Sequence, residues 1–393
     1  MSQRLISRSS DLKRLRDEGY DVRIESNHLV LDGIPYVTSS REIKRGCLVS
    51  TLALAGDITI RPDTHVIYFA GEYPCHKDGL EIEQIRHQTS RLQLGSILMV
   101  DHTFSNKPAD GYRDYYEKLT TYANIVSGPA EALDPTATAK IFPVIESQAE
   151  ESVFMYIDTA SSRAGINAVT GKLELGKIGI VGLGGTGSYV LDLVAKTPVK
   201  EIHLFDGDRF SQHNAFRSPG AAAVEDLKQE PKKASYFKTH YSRLRRNVFA
   251  HDYFIDESNI EQLRGMDFVF LCLDSGRAKK IIVECLEEYG IPFIDVGMGL
   301  YLSENGVGGI LRVTSSTNEQ REHVRHKHRI SFSDNDVDND YNQNIQIADL
   351  NALNAALAVI KWKKLFGFYL DLENEHHSTY TIDGNQLDNE DRP

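Results

Sequence analysis

The sequence predicts an α/β protein, with a parallel sheet and crossover helices in its C-terminal half, preceded by a separate α+β domain. The chain has 393 residues, more than one hydrophobic core usually serves. From Lys177 onward, strand-like and helix-like segments alternate, as is typical of parallel strands joined by helices. Before about residue 145, short apolar runs separated by turn signals indicate a mixture of strands and a helix.

The individual elements follow from hydrophobic patterning. In the C-terminal half, strands are predicted over 178–181, 202–205, 268–273 and 293–296. Helices are predicted over 188–195, 233–246, 278–289 and 348–366. The last helix is apolar around most of its circumference, so we expect it to be buried. In the N-terminal half, strands are predicted over 22–24, 29–31, 47–54, 65–69 and 96–100, and a helix over 112–125.

Turn and breaker residues divide the chain. Residues 32–35 predict a break between strands, and 127–138, with two X-Pro pairs, predict a linker. We therefore expect an N-terminal α+β domain over 1–145 that recognises a substrate or partner, and a C-terminal domain over 146–382. Residues 383–393 form an acidic tail that we expect to be frayed.

Composition narrows the function classes. The formal net charge of -12 argues against nonspecific binding to nucleic acid or to anionic membrane. No run of 18 apolar residues predicts a membrane span, and the first residues do not resemble a secretory signal. Four cysteines without a Cys-x-x-Cys pair predict neither a disulfide framework nor a zinc knuckle. A reducing cytoplasm is the expected location.

A glycine-rich turn is the strongest motif. It comprises Gly182, Gly184, Gly185 and Gly187, directly after one predicted strand and before a helix. Such glycines allow a tight turn, and the helix N-terminus offers free N–H groups to phosphate. Asp206 ends the next strand, where an acidic residue meets ribose hydroxyls. This Rossmann-like start fits two classes, a dinucleotide oxidoreductase and an ATP-binding adenylating enzyme.

The motifs that follow favour the second class. A strand ends in Asp206-Gly207-Asp208, then come Asn214 and Arg217, and then Lys232-Lys233 before a helix. Asp274 ends a later strand. In this order they resemble the ThiF family, which includes the activating enzymes of ubiquitin and of sulfur-carrier proteins. The resemblance covers roughly residues 155–370.

The resemblance implies a role for each motif residue. Asp206 and Asp208 lie at the nucleotide, with Asp206 on the ribose, and Asn214 and Arg217 hold phosphate oxygens. Lys233 stabilises the developing charge, with Lys232 as the alternative if the pattern is displaced by one residue. Carboxylate attack on the α-phosphorus of ATP brings two anions together, so a site of this kind needs cations.

Two further roles come from the resemblance. Asp274 should hold Mg²⁺ next to the phosphates of ATP. Arg163 occupies the place of a family arginine that enters the active site of the partner subunit, which implies a homodimer. The corresponding reaction is adenylation of the C-terminal carboxylate of a ubiquitin-like or sulfur-carrier-like protein, with release of pyrophosphate. A conjugating partner protein is a further expected contact.

Some features depart from the family. Ser218 follows the Asn-x-x-Arg motif where Gln is frequent, and no cysteine occurs between residues 297 and 393. In the ubiquitin-activating enzymes of the family, a nucleophilic cysteine follows the strand that matches 293–296. A thioester at that place is therefore excluded. Three options remain: the reaction stops at the acyl-adenylate, it uses Cys75 (next to His76) or Cys47, or the acyl group passes to a partner protein. Cys272 and Cys285 fall in predicted core elements.

Other patterns are weaker. The acidic run 334–340 lacks the glycine and the terminal glutamate of a calcium loop, so a solvated loop is expected. His323, His326 and His328 lie among basic residues and indicate a surface patch for an acidic partner, not a metal site. Residues 68–75 and 101–105 resemble the unnamed domain that precedes ThiF-type domains in some bacterial proteins. Three alternatives remain: adenylation of a peptide or small-molecule carboxylate, a non-catalytic nucleotide-binding scaffold, and an NAD-dependent oxidoreductase.

Overall fold

The computed structural model describes residues 2–95, 98–147, 152–332 and 345–392. The chain divides into two compact units. The first comprises residues 1–147 and 162–164, and the second comprises residues 148–161 and 165–393. The acidic run 334–340 lies outside the described residues.

The N-terminal unit is an antiparallel sheet with a long helix against it. Its strands are β1 (Asp21–Glu25), β2 (His28–Val37), β3 (Ile43–Thr51), β4 (Leu54–Ala55), β5 (Ile58–Thr59), β6 (Val66–Ala70), β7 (Arg86–Leu94) and β8 (Leu98–Ser105). Its helices are α1 (Ser2–Arg8), α2 (Ser10–Asp17) and α3 (Tyr115–Leu133). The sheet order is β1-β2-β3-β6-β8-β7, with β4 and β5 paired separately. The predicted separate α+β domain is confirmed.

Helix α3 supplies much of this unit's core. Tyr115 and Tyr122 are fully buried together with Phe69 and Phe104 of the sheet. Lys118 lies among them with no exposed surface, and its Nζ donates to Ser50 Oγ and to the Thr64 carbonyl, each at 2.9 Å. Burial lowers the pKa of Lys118 to about 8, because the charged form is separated from water.

Two expectations about breakers were wrong. The predicted break at 32–35 lies inside β2, where the register shifts between Leu31 and Ile34 and Gly33 has a φ of +70°. The residues that predicted a turn form a β-bulge within the strand. The first half of the predicted linker belongs to α3, which includes Pro129. Ser127 and Ala130 are buried, so packing outweighs the proline.

The C-terminal unit is built on one mixed sheet. Its strands are β9 (Lys177–Val181), β10 (Glu201–Phe205), β11 (Val248–His251), β12 (Phe268–Leu271), β13 (Phe293–Ser303), β14 (Gly306–Ser316), β15 (His377–Thr381) and β16 (Gln386–Glu390). They lie in the order β11-β10-β9-β12-β13-β14-β15-β16. The pairs from β11 to β13 are parallel and the rest antiparallel. The predicted parallel sheet is confirmed.

The remaining helices are α4 (Thr159–Arg163), α5 (Asn167–Thr170), α6 (Gly185–Ala195), α7 (Gln212–Ala215), α8 (Val224–Gln229), α9 (Lys233–Tyr241), α10 (Gly276–Glu288), α11 (His323–His326) and α12 (Ala348–Leu365). They belong to the C-terminal unit except for the end of α4, since Ser162 and Arg163 fall in the N-terminal unit. Helix α12 buries one side and not its whole circumference as predicted: Trp362 is fully enclosed and packs edge-on against Phe270 of β12, whereas Leu353 and Ile360 are exposed. No helix in the described ranges is long and apolar enough to cross a membrane.

The expectation that residues 383–393 are frayed was wrong. Residues 386–390 form β16, which pairs along its whole length with β15. Asp391 follows it and is buried, and its carboxylate accepts from Lys327 and from Arg329. The polar sequence does not predict this strand, because the strand is stabilised by backbone pairing and ion pairs and not by an apolar face.

Candidate functional site

The candidate site lies where three neighbouring parallel strands end. Strand β9 pairs with β10 on one side and with β12 on the other, so Val181 is opposite both Phe205 and Leu271. The glycine turn follows β9, Asp206 follows β10 and Asp274 lies three residues beyond β12. In such a sheet, ligands bind at the carboxyl edge where the strand order reverses, which is between β9 and β12 here.

Three glycines of the turn are required by the protein's own packing. Gly182 has a φ of +89°, and a Cβ there would lie 2.7 Å from the Cys272 carbonyl oxygen. A Cβ on Gly187 would lie 1.9 Å from the Gly182 carbonyl oxygen, and one on Gly185 would lie 2.0 Å from Asn351 Nδ2. Each is too close for a side chain, so these positions keep the turn compact.

Gly184 differs from the other three. Among the described atoms, none lies within 4 Å of a Cβ built on it, and its φ of -69° suits any residue. It is the N-cap of α6, whose first N–H groups have no partner within the helix. The open space beside these N–H groups is what an anion at a helix N-terminus requires.

Asp206 braces the turn. It is 5% exposed, and its Oδ2 accepts from the Leu183 N–H at 2.7 Å. Its Oδ1 accepts from the Asp208 N–H at 2.8 Å. Each oxygen keeps a second acceptor position, which fits the predicted ribose contact.

The structure brings Lys233 to the same carboxylates. Lys233 begins α9 and is 6% exposed, with its Nζ 2.8 Å from Asp208 Oδ2 and 3.9 Å from Asp206 Oδ1. Lys232, the alternative, donates to the Gly207 carbonyl instead. Of the two lysines, Lys233 therefore has the geometry of a charge-stabilising residue.

Asn214 and Arg217 each carry a buried hydrogen-bond donor without an acceptor among the described residues. Asn214 is 2% exposed, and its Oδ1 accepts from the Ser211 N–H at 2.9 Å. Its Nδ2 and the Nε of Arg217 are buried and have no partner among the residues that the structure describes. A buried unpaired donor costs about 1–3 kcal/mol. Each is a donor of the kind that a phosphate oxygen accepts from.

Asp274 and Arg163 lie in different surroundings. Asp274 is exposed, directly before Ser275, the N-cap of α10. The described residues hold no group of three or more His, Cys, Asp or Glu side chains able to bind a metal. A single carboxylate still suits Mg²⁺, which keeps several waters and is shared with phosphates. Arg163 is exposed at the end of α4, and its guanidinium lies 5.1 Å from the Phe142 ring centroid.

The geometry speaks against Cys75 as a nucleophile. Its side chain is buried and its Sγ lies 3.5 Å from the Tyr73 carbonyl. Burial, with nearby carboxylates such as Glu81, raises the pKa of its thiol. Burial and a hydrogen bond to Asp32 raise the pKa of Cys47 to about 12. Neither environment produces a thiolate at neutral pH.

The expected basic patch lies at the surface only in part. His326 and His328 are exposed, but His323 is 6% exposed and its Nε2 lies 3.1 Å from the Ser315 carbonyl. Lys327 and Arg329 pair with Asp391, and Arg325 pairs with Glu287. The pairs with Asp391 hold the C-terminal strand in place, and all three pairs neutralise charge that was assigned to an acidic partner.

Asn351 contacts the glycine turn, and sequence reasoning missed it. It lies on α12 with no exposed surface, and its Oδ1 accepts from Thr186 Oγ1 at 3.0 Å. In the sequence it is a polar residue inside a largely apolar helix. A buried asparagine in a core helix is the signal that could have found it.

Comparison with solved structures gives distant similarities. Escherichia coli MccB in a crystal structure with ATP is 20% identical, with 56% of this chain and 65% of that chain covered and a TM-score of 0.41. PaaA is 18% identical, with coverages of 57% and 75% and a TM-score of 0.42.

Comparison with known sequences identifies the family. Ubiquitin-like modifier-activating enzyme 5 of Aedes aegypti is 25% identical over 161 residues, which are 38% of this chain and 40% of that protein. The Gallus gallus enzyme is 27% identical over 167 residues, 39% and 41% of the two chains. This chain thus spans about two fifths of the length of these relatives. Residues 10–159 match a domain of unknown function, DUF6791, and residues 161–382 match the ThiF family, over more than half of the chain. The chain belongs to the ThiF family.

Proposed function

We propose that this chain binds Mg-ATP at the carboxyl edge of its parallel sheet and adenylates a carboxylate. The observation that carries the proposal is the pair of buried, unpaired donors on Asn214 and Arg217 in the segment after β10. Gly184 adds an open helix N-terminus, and Lys233 adds a buried cation. Together they supply donors and positive charge for a polyphosphate, as phosphate sites require.

The chemistry assigns a task to each residue. ATP supplies the adenylyl group: a substrate carboxylate oxygen bonds to the α-phosphorus, and pyrophosphate leaves with the electrons of the broken P–O bond. Arg217 and Lys233 stabilise the charge that develops on the phosphate oxygens. Asp206 holds the turn and reaches the ribose. Asp274 would hold Mg²⁺, which would neutralise phosphate charge.

The substrate class follows from the relatives. The similar enzymes of Aedes aegypti and Gallus gallus are named as activators of ubiquitin-like modifiers. We therefore infer that the acyl substrate is the C-terminal carboxylate of a ubiquitin-like or sulfur-carrier-like protein. A peptide carboxylate is the second candidate. The N-terminal unit is proposed to recognise this substrate or a conjugating partner.

Binding measurements test the nucleotide proposal. Calorimetric titrations of the wild type with Mg-ATP and with NAD should show binding of ATP and not of NAD. Arg217→Gln should weaken ATP binding about 10- to 100-fold, because a hydrogen bond to a charged group contributes about 1.5–3 kcal/mol. Arg243→Gln is the control, since Arg243 is exposed near the end of α9. Tight binding of NAD without ATP would show that the glycine turn serves a dinucleotide and that the adenylation proposal fails.

A second experiment tests the substrate class. ATP–pyrophosphate exchange is measured with ubiquitin-like proteins ending in glycine, and with the same proteins extended by one residue. Exchange with the first set alone supports the proposal. Exchange with short free peptides alone would favour a peptide adenylating enzyme. ATP binding without exchange for any acyl group would favour a nucleotide-binding scaffold.

The homodimer proposal rests on Arg163. Its guanidinium lies over the Phe142 ring of its own chain. The side chain is nevertheless exposed, so a partner subunit could reach it. Arg163→Ala and Arg217→Gln should each lose activity, and mixing them should restore part of it, because one mixed site has both arginines. Light scattering must show two chains per particle. A monomer with full activity would refute the trans arrangement.

A further inference from the structure

One buried side chain beside the glycine turn has no place in the proposed function so far. Asn351, on α12, has no exposed surface. Its amide fills the space that Gly185 leaves, since a Cβ on Gly185 would lie 2.0 Å from Asn351 Nδ2. Its Oδ1 accepts from the hydroxyl of Thr186, the second helical residue of α6, at 3.0 Å. Asn351 thus contacts the first turn of the helix whose N-terminus faces the site.

The amide nitrogen of Asn351 has no hydrogen-bond partner within the described parts of the chain. Leaving a buried donor unpaired costs stability, and most folded proteins avoid it. The whole carboxamide lies against Gly185, the first helical residue of α6: a Cβ there would lie 2.0 Å from Nδ2 and 2.6 Å from Oδ1. The N-terminus of α6 is positive because of its free N–H groups. Asn351 therefore packs against the end of the helix where an anion would bind, with one donor left for a hydrogen bond.

Helix α12 offers a comparison one turn further along. Asn354 is also fully buried, but its Nδ2 donates to the Gly297 carbonyl at 3.0 Å. That contact ties α12 to β13 and not to the glycine turn. The two asparagines share residue type, helix and burial, and they differ in what the amide nitrogen faces.

We propose that Asn351 is a positioning residue for the phosphate-binding turn, an inference that rests on the proposed nucleotide site. It fixes Thr186 and hence the first turn of α6, where the surrounding glycines provide little stiffness of their own. It also leaves an unpaired N–H donor beside that turn. Binding of the phosphates depends on the position of the turn, and binding of the nucleoside alone does not.

The test compares Asn351→Asp with Asn354→Asp by titration with Mg-ATP and with adenosine. Asn351→Asp keeps the shape but places a carboxylate beside the helix N-terminus, where it competes with phosphate. We expect the Kd of ATP to rise at least 10-fold and that of adenosine to change less than 2-fold. Asn354→Asp should lower the Tm yet keep the Kd of ATP within 2-fold of wild type.

The outcomes separate this inference from the proposed function. If the wild type does not bind ATP, the proposed function fails. If the wild type binds ATP and Asn351→Asp binds it equally well, or loses ATP and adenosine alike, the positioning role is refuted. Should Asn351→Asp not fold, Thr186→Val and Thr186→Ser decide. The valine variant loses the hydroxyl that bonds to Asn351 and should weaken ATP binding, whereas the serine variant keeps it and should not.

Discussion

Replacement of Gly184 by alanine should weaken ATP binding while the protein stays folded. The other three glycines of the turn are enclosed, but in the described structure nothing lies within 4 Å of a Cβ at this position. Its φ of -69° is also compatible with alanine. The new methyl group would point into the space beside the first N–H groups of α6, where the phosphates are proposed to lie.

The size of each effect follows from this geometry. Alanine is a poorer N-cap than glycine, so the free energy of unfolding should fall by no more than about 1 kcal/mol. In the complex, the methyl group should displace one or two hydrogen bonds between backbone N–H groups and phosphate. Each contributes about 1.5–3 kcal/mol, which gives a loss of affinity of roughly 10-fold to more than 100-fold.

Calorimetric titration with Mg-ATP and urea unfolding measure the two quantities on the same samples. Gly265→Ala is the control: it also adds a methyl group in open space, in an exposed turn before β12, and should change neither stability by more than about 0.5 kcal/mol nor ATP affinity. Gly187→Ala should fail to fold, since its Cβ would lie 1.9 Å from the Gly182 carbonyl oxygen. Unchanged ATP affinity of folded Gly184→Ala would refute the placement of the phosphates at this turn.

Further predictions concern charge and thiols. Lys233→Met should lower the rate of ATP–pyrophosphate exchange at least 100-fold, which corresponds to a loss of roughly 3 kcal/mol of charge stabilisation. Its circular dichroism spectrum should match that of the wild type. Because burial lowers the pKa of Lys118 from 10.5 to about 8, the unfolded chain binds more protons between these values. Stability relative to Lys118→Met should therefore rise from pH 8 to 10.5, by up to about 3 kcal/mol in urea unfolding. Asp391→Asn should destabilise the protein by about 1–3 kcal/mol in thermal unfolding, since it weakens the buried pairs with the basic segment. With Mg-ATP and an acyl substrate, the wild type should form no covalent adduct that a thiol reagent releases; an adduct that Cys75→Ala lacks would make the thiol catalytic after all.

Local patterns explain what could be predicted from the sequence. The strands and helices around the glycine turn follow from short-range periodicity, and the carboxyl ends of β9, β10 and β12 then meet because the sheet is parallel. The approach of Lys233 to Asp208 follows from the same topology, which returns the chain to the end of β10.

Long-range contacts explain what could not. Asn351 meets Thr186 across 165 positions of the chain, and no local pattern specifies which face of α12 covers the turn. The role of Asp391 depends likewise on Lys327 and Arg329, in a segment that reads as a charged surface. In both cases a polar residue is buried through a partner that sequence proximity does not reveal.

The thiols bear on where the proposed reaction ends. Burial is the largest influence on each of the four cysteines, and it raises the pKa of Cys47, Cys75, Cys272 and Cys285. A thiol that accepts an acyl group must reach the thiolate form and the adenylate, and these side chains are kept protonated by their surroundings. No cysteine lies between residues 297 and 393. We therefore propose that this chain ends its own chemistry at the acyl-adenylate, and that the acceptor nucleophile comes from another molecule.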